Sequence, residues 1–379
     1  MIYNDFKGIK VSALGLGCMR FPKIDDKEDQ IDEVETAKII DHAIKNGINY
    51  FDTAWMYHGG MSEPVMGKML SKYPRESFLL ATKFPGYSRE NMAKVEEIFE
   101  SQLERCQVDY FDFYLFHNVC ETNIDGYLNP EYGIFDYLVK QKKAGRIRHL
   151  GFSAHGALPV IKRLVEAYGD ELEFCQIQLN YLDYSFQDAN EKLEYLKECG
   201  LPVIVMEPVR GGRLATLSDE HTAKLKAIQP EWSTVEWAFR YLQSFPEVFV
   251  TLSGMSNMEQ LKENIATYSE KKPLSEAELA TLYEIADDII KSSGVPCTAC
   301  QYCTSYCPKE LNIPALLKLY NQFNYTNGGF TPRLALKNYP EDKRPEACIG
   351  CRSCEAVCPQ QIKISEALAD FSEKLTKKD

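Results

Sequence analysis

Asp52, Tyr57, Lys83 and His117 are the residues whose types and spacing most readily do chemistry together. Asp52 and Tyr57 belong to one stretch, residues 49–57, that begins as a strand and then turns polar. Ile48, Tyr50 and Phe51 are β-branched or aromatic, which suits a strand. Lys83 ends an apolar run over 77–83, and His117 ends an aromatic run over 110–117. A free phenol has a pKa near ~10 and is a poor acid at neutral pH. A nearby ammonium favours the phenolate and is expected to lower that value. A carboxylate would hold the lysine, and a histidine would hydrogen-bond a carbonyl oxygen or share the proton. The set reads as a general acid aimed at a carbonyl oxygen whose carbon receives hydride. Each residue alone has a plainer reading: a capping acid, a loop aromatic, a solvated lysine, a hydrogen-bonded strand-end histidine. Their coincidence on consecutive strands favours chemistry.

Strands and helices must alternate to bring these ends together. Strand-like runs are expected at 11–17, from 48, and at 77–83, 110–117, 148–153, 174–180, 201–206 and 247–252. Helical spacing follows each of the later ones, at 64–71, 91–105, 132–144, 157–168, 189–199, within 218–244 and at 258–267, and a further helix over 34–46 stops at Gly47. Eight β-then-α units over about 250 residues imply a parallel sheet closed as an α/β (β/α)₈ TIM barrel. In such a barrel the strand C-termini share one rim. No Gly-x-Gly-x-x-Gly opens a first strand-to-helix turn, so an open doubly wound sheet is the weaker alternative. One more helix over 275–292 completes the expected barrel domain, residues 1–292. Residues 293–379 are expected to form a small, mainly helical domain.

The 379 residues are 45% hydrophobic, enough for a sizeable core. The net charge of −12 argues against nucleic-acid binding, which favours a basic face. No apolar run reaches the ~20 residues of a membrane helix, and no signal pattern opens the chain. The expectation is a cytoplasmic protein with no membrane partner. Of thirteen cysteines, five (Cys18, Cys106, Cys120, Cys175 and Cys199) are scattered. The other eight form two clusters, a metal-site distribution rather than a disulfide framework.

Cys297-x-x-Cys300-x-x-Cys303-x-x-x-Cys307-Pro308 recurs as Cys348-x-x-Cys351-x-x-Cys354-x-x-x-Cys358-Pro359. The spacing resembles that of bacterial-type ferredoxin domains, in which the Cys before Pro ligates the other cluster. The resemblance implies one [4Fe–4S] cluster on Cys297, Cys300, Cys303 and Cys358. A second [4Fe–4S] falls to Cys348, Cys351, Cys354 and Cys307. The connection between the runs is long and reads as helix over 313–322, which suggests an α-helical variant. Zinc is the alternative metal, and clusters that merely staple the tail are the alternative role.

Asp52-Thr-Ala-x-x-Tyr57, Ala81-Thr-Lys83 and Leu115-Phe-His117 resemble the tetrad motifs of the aldo-keto reductases, over roughly residues 8–270. The resemblance implies a barrel that reduces aldehydes and ketones with a nicotinamide cofactor. Tyr57 would be the general acid, Lys83 and Asp52 its tuning pair, and His117 the substrate-orienting residue. Ser153 and Gln176 match positions that hold the nicotinamide amide, although the Asn expected after Ser153 is Ala154, then His155. Met206 stands where many members stack a Tyr. Gly211, in the loop 210–213, would approach the pyrophosphate. Gly254, Ser256, Gln260, Glu263 and Asn264 resemble the adenosine-binding loop and helix. Members that prefer NADP place Lys and Arg where this chain has Gly254 and Gln260, so NADP and NAD both stay open. Three functions follow as expectations: carbonyl reduction or the reverse oxidation on a small-molecule carbonyl or alcohol; a redox enzyme passing single electrons through its clusters to an electron-transfer protein; or a redox-sensing binding module without turnover.

Overall fold

The computed structural model describes residues 1–25, 27, 29–292, 294–297, 301, 303–358 and 360–377. The chain divides into two compact units, Met1–Thr281 and Leu282–Asp379. The division falls inside the helix Glu276–Ser292, where the sequence reading puts the boundary after that helix.

The first unit has ten strands: β1 (Tyr3–Phe6), β2 (Ile9–Ser12), β3 (Leu14–Gly17), β4 (Tyr50–Asp52), β5 (Leu79–Phe84), β6 (Phe111–Val119), β7 (Ile147–Ala154), β8 (Cys175–Gln178), β9 (Val203–Met206) and β10 (Val248–Ser253). β3 to β10 pair in chain order, all parallel, and β10 pairs back to β3 to close an eight-stranded barrel. This is the TIM barrel that the alternation implies. Its helices start and stop where local chemistry dictates. Asp32 Oδ1 accepts from Val34 N and Glu35 N, each at 3.0 Å, and so caps the helix Glu33–Lys45. Gly47, at φ 90°, turns the chain from that helix toward β4.

The stretch 11–17, expected as one strand, is two. β2 pairs antiparallel with β1, and the chain breaks at Ala13 before β3 enters the barrel. Ser12 makes the break: its Oγ donates to Leu14 O at 2.8 Å, and its N–H donates to Asn49 Oδ1 at 2.8 Å. The β1–β2 hairpin plugs the barrel floor. Phe6 stacks on Phe249 with centroids 4.8 Å apart, above Phe113, Phe174 and Leu79. Apolar filling at this end leaves the polar side chains of β4 to β8 to gather at the other.

The second unit is helical. Ile313–Thr326 and Ile364–Thr376 pack through Leu316, Leu317, Phe323, Leu368 and Phe371. Tyr320 Oη donates to Asp370 Oδ2 at 2.6 Å across that pair. Among the described residues, no helix is long and apolar enough to cross a membrane.

Candidate active site

β4 ends on Asp52, β5 carries Lys83, and β6 carries His117. Barrel closure makes them neighbours. Lys83 Nζ donates to Asp52 Oδ1 at 2.6 Å and to Thr53 O at 2.8 Å. The same ammonium lies 5.0 Å from the centre of the Tyr57 ring. That ring stands edge-on to the His117 imidazole, with centroids 6.1 Å apart. The four residues singled out in the sequence are therefore together. Asp52, Lys83 and His117 are buried; Tyr57 is half-buried. No described group hydrogen-bonds the Tyr57 hydroxyl.

The electrostatics correct one expectation. Burial pushes the Tyr57 phenol well above the usual tyrosine range, and the charges of Asp52 and Glu207 push the same way. Lys83 was expected to lower it. Its ammonium donates to Asp52 and Thr53 and lies over the Tyr57 ring, and burial outweighs it. Burial also lifts the Asp52 carboxyl, with Lys83 pulling it back. His117 is driven well below the ordinary histidine range, first by burial and then by Lys83 and His155. The site thus holds a protonated phenol beside a neutral imidazole.

A second layer, which the sequence did not disclose, holds these groups in place. Glu63 is fully buried and accepts from Thr82 Oγ1 at 2.6 Å and Gln102 Nε2 at 2.7 Å. Gln102 also donates to Lys83 O at 3.0 Å. Arg105 pairs with Glu63 at 3.1 Å, stacks 4.3 Å from the Trp55 ring centre, and donates to Gly60 O. The loop carrying Tyr57 is thereby tied to the strand carrying Lys83. His58, left-handed at φ 53°, accepts from Phe21 N at 3.1 Å and locks the turn after Tyr57. Tyr87 is a further unforeseen neighbour. Its hydroxyl rests against His117 Nδ1 and lies 3.1 Å from Nε2.

The other side of the rim carries unpartnered polar groups and two glycine loops. Gln176 is buried, its Oε1 has no partner, and its Nε2 lies 3.8 Å from Met206 Sδ. Ser153 Oγ accepts from Asn118 N at 2.8 Å, and Asn118 Oδ1 is also buried without a partner. Asn118 escaped the sequence reading, because it follows a strand-end histidine and matches no motif. In the loop after β9, Gly211 (φ +63°) is crossed by Arg20: an added Cβ would stand 3.3 Å from Arg20 Nη2 and 3.7 Å from Glu207 Oε2. At Gly254, after β10, a Cβ would stand 3.0 Å from Arg20 Cβ. That loop is preformed. Arg210 Nε pairs with buried Asp183 at 3.0 Å, and Asn180 Nδ2 reaches Glu207 O at 3.0 Å. The helix Met258–Thr267 follows. Ser256 N donates to Gln260 Oε1 at 2.8 Å, Ser233 Oγ donates to Glu263 Oε1, and Asn264 Nδ2 donates to Ser253 Oγ at 3.1 Å.

In the second unit the cysteines surround two hollows. One is lined by Cys307, Cys348, Cys351 and Cys354. The other is lined by Cys297, Cys303 and Cys358. Cys300 lies outside the described residues. Among those described, no three Cys, His, Asp or Glu side chains converge on one metal ion. The scattered Cys18, Cys106, Cys120 and Cys175 are buried free thiols, and Cys199 is exposed.

The sequence pattern described as "Aldo/keto reductase family" matches residues 13–287. The chain belongs to that family. A second pattern, "4Fe-4S dicluster domain", matches residues 296–362. The L-galactose dehydrogenase of Arabidopsis thaliana is 28% identical over 293 residues, covering 70% of this chain and 87% of that protein. The holo form of aldo-keto reductase AKR11C1 from Bacillus halodurans superposes with a TM-score of 0.63 at 26% identity, covering 75% of this chain and 96% of the other. An aldo-keto reductase from Klebsiella pneumoniae in complex with NADPH shares the fold, with a TM-score of 0.61 at 21% identity and 76% and 96% coverage. This family member is an NAD(P)-dependent oxidoreductase with an iron–sulfur domain at its C-terminal end.

The depressed histidine makes this aldo-keto reductase testable by titration. In the unfolded chain the imidazole takes up a proton near ~6.5; in the folded chain it does so only at lower pH. Below ~6.5 the unfolded state binds more protons, so stability from this group is present above that pH and declines as pH falls. In NMR titration the His117 ring is expected to show no protonation step across roughly pH 6 to 8. A step near ~6.5 would contradict the neutral imidazole.

Proposed function

We propose that the chain reduces a carbonyl compound to its alcohol, or runs the reverse oxidation, at the rim formed by Asp52, Tyr57, Lys83 and His117. The single observation that carries this reading is the unshared Tyr57 hydroxyl beside a neutral His117, above a buried Lys83–Asp52 pair. The nicotinamide, when bound, supplies the hydride for the carbonyl carbon. Tyr57 donates the proton to the carbonyl oxygen, which the His117 imidazole orients by hydrogen bonding. Burial keeps the phenol protonated until that oxygen becomes basic enough to take its proton. Lys83 then stabilises the phenolate through space, and Asp52 fixes Lys83 in position.

The donor set fits a dinucleotide. Gln176 and Asn118 each offer a buried, unpartnered side-chain oxygen to a carboxamide N–H, with Ser153 between them and Met206 as an apolar surface beneath. Gly211 and Gly254 leave backbone room for a diphosphate, and Arg20 supplies a cation across both. Ser256, Gln260, Glu263 and Asn264 would hold the adenosine end. Gln260 is neutral and already bonded to Ser256 N, and Gly254 has no side chain, so neither position supplies a cation to a 2′-phosphate. NAD is the better fit.

In the second unit the hollows group the thiols as the crossed ferredoxin pattern requires. Cys307 joins Cys348, Cys351 and Cys354, while Cys358 joins Cys297 and Cys303, with Cys300 as the fourth ligand by sequence. This grouping supports two [4Fe–4S] clusters, held by Cys297, Cys300, Cys303 and Cys358 and by Cys348, Cys351, Cys354 and Cys307. The first hollow opens outward: Cys351 is exposed, and Ile349 is 60% exposed. That exposure favours a second reading, in which the cluster exchanges single electrons with an outside electron-transfer protein. Eight cluster thiolates suit a reducing, cytoplasmic setting.

Tyr57→Phe is expected to cut turnover by about 10²-fold or more while leaving NADH binding intact. Full turnover by the variant would sink the proton-donor role. Fluorescence titration should show NADH binding at least ~10-fold tighter than NADPH, as expected when no cation meets the extra phosphate. Equal affinities would contradict the NAD reading. Anaerobically prepared protein should carry about eight iron atoms per chain, and Cys351→Ser about half as many. Stoichiometric zinc in place of iron would overturn the assignment.

A further inference from the structure

We propose that Lys309 and Arg352 make the two cysteine hollows electrically unequal, so that a single electron taken up by this unit rests on the group held by Cys307, Cys348, Cys351 and Cys354. This rests on the reading of two [4Fe–4S] clusters given above.

The two hollows are one site built twice. Residues 297–317 and 348–368 correspond at a constant offset, cysteine for cysteine. Leu311 and Ile313 line the first hollow; their counterparts Ile362 and Ile364 line the second. The backbone repeats as well. Gln301 and Arg352 are both left-handed, at φ 66° and 60°, and so are Glu310 and Gln361, at 51° and 53°. The helices Ile313–Thr326 and Ile364–Thr376 start at matching positions.

Each hollow is therefore a control for the other. Where the first has Lys309, after Cys307-Pro308, the second has Gln360, after Cys358-Pro359. Where the first has Arg352, after Cys351, the second has Gln301, after Cys300. All four side chains belong to the walls of their hollows, and among the described residues no carboxylate lines either one. The nearby acids are engaged elsewhere or loosely placed. Lys309 is exposed and has no acid partner among the described residues. Glu310, next to it, pairs with Lys343 at 3.2 Å. Glu355 accepts from Ser365 N at 2.8 Å. Arg352 Nη2 lies 3.8 Å from Glu366 Oε1, a loose surface pair, and Lys363 shares that carboxylate at 3.7 Å. The two walls thus differ by two positive charges.

That difference acts on an added electron. Reduction puts one more negative charge on a group already bound by four thiolates, and no bond forms or breaks. Net charge and exposure set the potentials of such clusters. Cations nearby favour the added charge; neutral walls do not. Lys309 and Arg352 therefore lift the reduction potential of their group above that of its twin, which Gln301 and Gln360 face without charge. The electron comes to rest beside exposed Cys351 and Ile349, at a face that an outside one-electron carrier can reach.

The test is an anaerobic reductive titration with titanium(III) citrate, the reduced clusters being counted by electron paramagnetic resonance. Lys309→Gln combined with Arg352→Gln installs the residue that each counterpart position already carries, which suits the loop. In this double variant the first one-electron step is expected to become about tenfold less favourable, a fall of ~59 mV, with the second step unmoved. Gln301→Arg combined with Gln360→Lys is expected to raise the second step by a similar factor and to move the first far less. A first step that stays in place in Lys309→Gln with Arg352→Gln, while about eight iron atoms are retained, overturns the proposal and leaves the two clusters standing. If that variant loses iron, the reverse pair decides: a first step that rises in place of the second overturns the proposal. A natural protein that does not hold about eight iron atoms overturns the cluster reading, and the proposal falls with it.

Discussion

The Lys83–Asp52 ion pair is the constraint around which the barrel rim is organised. Both charges are almost completely out of water, with Nζ and Oδ1 2.6 Å apart. Removing two charges from solvent costs several kcal/mol per ion, and their attraction offsets this only if the geometry is fixed and further hydrogen bonds are made. Thr53 O supplies one of those bonds. The rest of the fixing is indirect. Gln102 grips the Lys83 carbonyl, Glu63 grips Gln102, and Arg105 joins Glu63 to the loop that bears Tyr57. Loosening any member leaves a buried polar group unsatisfied, so the network holds together or not at all.

That rigidity bears on the proposed role of Tyr57 as the acid. An ammonium beside a phenol hydroxyl favours the phenolate and lowers its pKa. Here the ammonium donates to Asp52 and Thr53 and lies over the Tyr57 ring. The resting phenol keeps its proton because burial and two carboxylates oppose its charge. The lysine's influence is felt when the proton leaves, since the new phenolate would form beside a fixed cation. The expectation that Lys83 lowers the resting value misjudged the state in which the cation acts, not the residues involved.

How much of this was legible in sequence follows from range. The barrel was legible because each β-then-α unit states its own periodicity and its own stop within about thirty residues. The tetrad was legible because its members end consecutive strands, a relation that survives without coordinates. The iron–sulfur domain was legible because the repeated cysteine spacing resembles that of ferredoxins. The N-terminal hairpin was not: Val11 to Gly17 is a single apolar run, and its break at Ala13 depends on Ser12 meeting Asn49, thirty-seven residues away. Glu63, Gln102 and Arg105 were not, because an acid, an amide and a guanidinium on amphipathic helices look like solvated faces until the barrel closes. Arg20 and Asn118 stood beside the motifs but in none of them.

The chemistries proposed for the two units move electrons in different numbers. Hydride transfer moves two electrons and one proton together, and on the proposed reading Tyr57 would supply the remaining proton. A [4Fe–4S] cluster passes one electron and has no need of a proton donor. The described tetrad groups at the rim are a phenol, an imidazole and a buried ion pair, a set suited to proton delivery. A chain that joins both chemistries must therefore use them as separate steps, or through a carrier that accepts electrons in pairs and releases them singly. The Lys83–Asp52 pair is buried and Cys351 is exposed, which fits separate duties on the proposed reading. A site closed to water would protect a two-electron step, whereas a cluster open to the surface would shorten the path to a one-electron partner.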